Sequence, residues 1–104
     1  METNRKKIFI CSPYRGDVEE NIKKAAAYCR MACEKGYMPI APHLYFTQFL
    51  DDDIEAERAL GISMGMDLIL LCEEVWVFGR PTEGMAAEIS FANGHGMKIT
   101  FMDK

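Results

Sequence analysis

In the stretch VFGRPTEGMAAEISFANGHG, Val77 to Gly96, a carboxylate falls where a packed helix has no structural use for one. A Gly/Pro loop leads into a helix whose alanines suit a core face, and Glu88 sits in its second turn, one turn after Gly84. Residues four apart share a helix face, so with no side chain at 84 a ligand approaches Glu88 unobstructed. A glutamate so placed can attack an anomeric carbon, forming a glycosyl-enzyme ester that a second acceptor resolves with retention. The alternative reading is a solvated surface charge.

Two loops would share that site. SPYRGD, Ser12 to Asp17, and GRPTEG, Gly79 to Gly84, each combine small residues with a hydroxyl and an arginine, and each leads into a helix. Free N–H groups and the helix dipole there favour an anion, which Ser12, Arg15, Gly16, Arg80 and Thr82 would help to hold. Neither loop is a Walker A or a G-x-G-x-x-G fingerprint, and plain chain-turning loops would look much the same.

Other chemistry-bearing residues have quieter readings. Asp51, Asp52 and Asp53 suit a helix start better than a metal cluster, since Asp52 and Glu55 have capping-box spacing. The four cysteines, Cys11, Cys29, Cys33 and Cys72, include no C-x-x-C pair and no histidine at zinc spacing, so they read as reduced, buried thiols. His43 and His95 are isolated. No metal and no cofactor is expected.

The elements that must position these residues alternate. KIFIC (7–11) reads as a strand buried on both faces. A helix follows from Val18, opened by the Asp17/Glu20 capping box and stopped at Gly36. YMPIA (37–41) is a strand near an edge because of Pro39. After an aromatic loop, a helix spans Ile54 to Cys72. Glu74 to Phe78 is a strand, Thr82 or Glu83 opens a helix ending near Asn93-Gly94, and Lys98 to Met102 is the last strand. Such a chain predicts a small doubly wound, flavodoxin- or Rossmann-like α/β fold. It has a parallel sheet of four to five strands, helices on both faces, and a site beyond the carboxyl ends of the strands.

At 104 residues, with 49% hydrophobic and 27% charged side chains, one domain over 1–104 is expected. The net charge of −4 argues against a nucleic-acid groove, and Arg5-Lys6-Lys7 reads as a solvated arm. No run approaches the roughly 18 apolar residues that span a bilayer, and the polar start is not a signal peptide, so a cytoplasmic location is expected.

FICSPYRGD near the start and TEGMAAEISFANGHGMKI near the end resemble the nucleoside 2-deoxyribosyltransferase superfamily, including its 2′-deoxynucleoside 5′-monophosphate N-glycosidase branch. The resemblance implies cleavage or transfer at the N-glycosidic bond of a nucleoside or nucleotide. It makes Glu88 the nucleophile, with Tyr14 and Asp67 as further catalytic candidates. Ser12, Pro13, Arg15, Gly16, Arg80, Thr82, Gly84 and Met85 become substrate-binding candidates. Family enzymes usually carry an Asp, often with an Asn soon after, on the helix before the third strand. Here Asp67 aligns only with a one-residue gap, no Asn follows it, and its alternative reading is a solvent-facing helix residue.

That helix also carries a core stripe, Ala56, Leu60, Met64, Leu68 and Leu71, and a second apolar set, Ile62, Met66, Ile69 and Leu70. Gly61 and Gly65 would permit close helix approach. Two apolar faces predict burial on both, hence a homo-oligomer through helix 53–72. The competing functional reading is a non-catalytic module that binds a nucleotide-derived ligand.

Overall fold

The computed structural model describes residues 4–102. Lys7–Cys11 forms β1, with Ile8 to Cys11 all buried, as an apolar strand covered on both faces must be. Gly16 turns the chain at φ +103°, a conformation that strains any side chain. The turn feeds α1, Val18–Glu34. Asp17 caps α1 by accepting from the Glu20 N–H at 3.2 Å.

Next come β2, Met38–Ile40; α2, Pro42–Tyr45, continued by a 3-10 turn; α3, Glu55–Ile69; and β3, Glu74–Val77. The chain closes with α4, Glu83–Gly94, and β4, Lys98–Phe101. The strands lie in the order β2-β1-β3-β4 and all pair in parallel, with Cys11 opposite Val77. Pro39 falls on an edge strand, where its missing N–H costs least. The chain leaves β1 toward β2 and then crosses to β3 on the other side, so the strand order reverses between β1 and β3. Their carboxyl ends frame the crevice where such folds hold ligands.

Alternate strand residues build two cores. Ile8, Ile10, Trp76 and Phe78 face α1, packing on Ala32, Tyr28 and Cys29. Phe9, Cys11, Val75 and Val77 face α3 and α4, packing on Ile69, Met85 and Ala92. Glu74, buried within the sheet, accepts from Trp76 Nε1 at 2.8 Å and pairs with Lys6 at 3.7 Å.

Helix α3 departs from its sequence reading. It ends at Ile69, three residues before Cys72, and it buries Gly65 and Ile69. Leu60 and Leu71 of the expected core stripe are 49% and 65% exposed, and Ala56 is exposed as well. Apolar residues spread all round this helix, so periodicity does not choose its inner face; the glycines do, by admitting α2 and α4 closely. The Asp52/Glu55 capping box is also absent. Ile54 is the N-cap and makes no side-chain cap, because Asp52 is drawn to Arg15. Glu57 instead accepts from the Asp51 N–H at 2.7 Å. Among the described residues no helix is long and apolar enough to cross a membrane.

Candidate functional site

At the carboxyl edge of β1 and β3 the chain leaves a cavity of about 340 Å³. Its walls come from four places: Ser12, Tyr14 and Arg15 after β1; Pro42, His43, Phe46 and Thr47 from α2 and its extension; Arg58, Gly61 and Ile62 from α3; and Thr82, Gly84, Met85 and Glu88 from α4. Thr82 caps α4 by accepting from the Met85 N–H at 3.3 Å, which fixes where that helix starts and so where Glu88 falls. A side chain at Gly84 would meet open space, so the turn above Glu88 is clear, as the i, i+4 spacing requires.

Glu88 is partly buried and its one hydrogen bond among the described residues comes from β1, where the Cys11 thiol donates to Oε1 at 3.3 Å. Its other oxygen, Oε2, lies 3.8 Å from where a Cβ on Gly65 would stand, and Pro42 abuts the same point. Burial pushes the Glu88 carboxyl up to about 7, with the thiol pulling weakly the other way. Desolvation is the larger of the two effects, so the group titrates near neutrality. Burial and the neighbouring carboxylate push the Cys11 thiol well above its ordinary range.

His43 stands beside Ser12, with Nε2 3.4 Å from Oγ, and its ring is 5.8 Å from that of Tyr14. Burial lowers its pKa, which favours the neutral imidazole. Arg15 spans the mouth, bonding Asp52 through Nε at 2.6 Å and the Asp52 carbonyl at 3.0 Å. A broader depression of about 700 Å³ adjoins the cavity and shares Tyr14, Arg15 and Asp52 with it. That larger hollow contains neither Glu88 nor His43, so the smaller one is the candidate site.

Residues 6–102 match the model of a family described as Domain of unknown function (DUF7768). The chain belongs to that family. No curated protein matches it. Among solved structures it is similar to a 2-deoxyribosyltransferase from the psychrotolerant bacterium Bacillus psychrosaccharolyticus, described as a biocatalyst for the synthesis of antiviral and antitumoral nucleosides. The TM-score is 0.72 at 14% identity, over 89% of this chain and 69% of that one. At that identity the likeness is one of fold.

In this DUF7768 chain the structure gathers Ser12, Tyr14, Arg15, Thr82, Gly84, Met85 and Glu88 around one cavity. Pro13 lies within the same loop but is not part of the wall, and Gly16 borders the broader depression. Arg80 is exposed and outside both hollows, and Asp67 is exposed on α3, two residues past the position that faces Glu88. That facing position is Gly65, which has no side chain to offer a proton.

Sequence reasoning passed over His43, Arg58 and Cys11. A lone histidine, an arginine within an ordinary helix and a strand cysteine carry no local signal, because the strand and helices that bring them to Glu88 are far apart in the chain. The four thiols are free, yet Cys33 is exposed rather than buried, being on the outer side of α1. The described residues hold no cluster able to bind a metal ion, and the aspartate run serves Arg15 and the turn before α3.

Proposed function

We propose that this chain cleaves or transfers the N-glycosidic bond of a nucleoside or nucleoside 5′-monophosphate, as a distant relative of the nucleoside 2-deoxyribosyltransferases. The observation that carries the reading is Glu88. It is a carboxylate held at the switch point of a parallel sheet, beside open space cleared by Gly84, in a fold similar to that of a 2-deoxyribosyltransferase.

The ionised Glu88 attacks the anomeric carbon. A C–O bond forms as the C–N bond breaks, and the electron pair leaves with the base, which takes up a proton. Water or a second base then displaces the glutamyl ester from the face that the first base has left, giving net retention. Since Gly65 occupies the α3 position opposite the nucleophile, the proton for the base comes from elsewhere on the wall, where Tyr14 and the Ser12–His43 pair stand. Arg58 lines the cavity and makes no ion pair among the described residues, whereas Arg15 is taken by Asp52. Arg58 is thus the cation available to an anionic substituent on the ligand.

The second reading is a nucleotide-binding module without turnover. It is favoured by the absence of a carboxylate opposite Glu88, where Gly65 stands and Asp67 points elsewhere. One experiment separates the two: incubation of the protein with a panel of nucleosides and 5′-monophosphates, with base release followed by chromatography and binding by calorimetry. The enzyme reading expects release that rises with pH through about 7 as Glu88 ionises. It also expects a loss of about a thousandfold or more in Glu88→Ala and Glu88→Gln, with affinity retained. Tight binding without release by the wild type would leave the module.

A further inference from the structure

We infer that Cys11 is the positioning residue for Glu88, its thiol donating to Oε1 and so leaving Oε2 as the oxygen that meets the ligand. The two side chains come from elements 77 residues apart, yet Sγ and Oε1 stand 3.3 Å from each other. Cys11 is fully buried near the end of β1, between β2 and β3, so its donor is fixed to the sheet. A longer or mobile donor would not define one carboxylate rotamer. Oε2 makes no hydrogen bond among the described residues and lies on the α3 side, 3.8 Å from where a Cβ on Gly65 would stand, while Glu88 itself lines the cavity.

The chemistry of the donor suits the role. A thiol is a weak hydrogen-bond donor and stays neutral here, so it orients the carboxylate without forming the ion pair that would quench a nucleophile. Attack then proceeds from Oε2, and the thiol proton remains on Sγ throughout. No bond to sulfur is made or broken.

The other titratable or charged groups around the cavity are Tyr14 after β1, His43 on α2, Glu57 and Arg58 on α3, Glu83 on α4, and Arg15 with Asp52 across the mouth. None of them is hydrogen-bonded to Glu88 among the described residues, so the thiol is the one polar contact through which a substitution can move its titration directly. Loss of that donor removes a bond made preferentially to the charged form, and the Glu88 carboxyl must then hold its proton to higher pH.

The consequence for rate rests on the glycosidic reading above; the positioning does not, and it is measured without turnover. In protein carrying 13C-labelled glutamate, the Glu88 carboxyl resonance is assigned by its disappearance in Glu88→Gln and titrated in each Cys11 variant. Cys11→Ala is expected to raise the midpoint by about half to one pH unit. Cys11→Ser, which restores a donor of nearly the same shape, is expected to bring it back toward wild type. Should the alanine protein melt below the assay temperature, Cys11→Val fills the space without a donor and carries the same expectation.

A midpoint unchanged in Ala or Val overturns the inference, as does a serine midpoint displaced as far as that of alanine, since both would mean repacking alone. If the wild type releases base from a nucleoside, Cys11→Ala should be about two- to fivefold slower at pH 7 and near wild type by pH 9, with KM unchanged. If the midpoints move as expected but no variant or wild type cleaves any nucleoside, the positioning stands and the glycosidic reading falls.

Discussion

On the α1 face of the sheet, Tyr28 stacks on Phe78 with ring centroids 3.9 Å apart, and Tyr37 meets Trp76 edge-on at 5.4 Å. On the α3/α4 face the corresponding space is filled by Ala92, Met85 and Ile69, and a cavity opens at one end, lined on α3 by Arg58, Gly61 and Ile62. Large rings in close contact maximise buried apolar area. Small residues give up that area and leave room for a partly buried carboxylate. One face of the sheet is thus closed by stacked rings while the other carries both a core and the cavity, although the same strands feed both.

Substitution on the α1 face should show the largest effect. Phe78→Ala removes a ring that is 2% exposed and stacked on Tyr28, and it is expected to cost about 3–5 kcal/mol in chemical denaturation. The Glu88 titration should not move, and if it does, the two faces are coupled and the division between them fails.

A smaller effect of opposite sign is expected across the sheet. The folded-state pKa of Glu88 lies above its ordinary value, so the folded chain binds this proton more tightly than the unfolded chain does. The stability it contributes is present below pH 4.5 and is lost as pH rises through about 7. Glu88→Gln escapes that loss. The variant should be more stable than wild type by about 2–3 kcal/mol at pH 8 and indistinguishable from it near pH 4. Thermal melts at the two pH values measure the difference, and equal melting at pH 8 would mean that the site imposes no cost.

The smallest effect sharpens the contrast. A Cβ at position 65 would sit 3.8 Å from Glu88 Oε2 and from Pro42 Cγ, which is ordinary contact, so Gly65→Ala fits. It should gain about 0.5–1 kcal/mol from helix propensity while crowding Glu88 Oε2. Denaturation and ligand titration together test whether stability and space trade against each other at this residue.

How much of this was legible in the sequence differs between the same two faces. The strands, α1 and α4 announced themselves through apolar runs and through Asp17 and Thr82, which are local signals; both residues cap their helices, although only the Asp17 half of the expected Asp17/Glu20 box forms among the described residues. The i, i+4 pair of Gly84 and Glu88 was equally local. Helix α3 was misread because Leu60 and Leu71 fit a helical stripe as well as Gly65 and Ile69 do, and only the packing of α2 and α4 decides between them. The Cys11 contact and the place of His43 depend on strand order, which no short stretch encodes. Arg15 was read correctly as a loop residue, but its bond to Asp52, 37 residues away, was not visible.

That bond has a consequence for how the cavity is entered. The Arg15–Asp52 pair ties the turn after β1 to the chain before α3 across the mouth, and its side chains are 52% and 28% exposed. Dissolved ions screen such a pair over a distance of about 8 Å at physiological ionic strength. The apolar floor around Met85 is indifferent to electrolyte, but the rim is not. Rising salt is therefore expected to loosen the brace at the doorway without altering the room behind it.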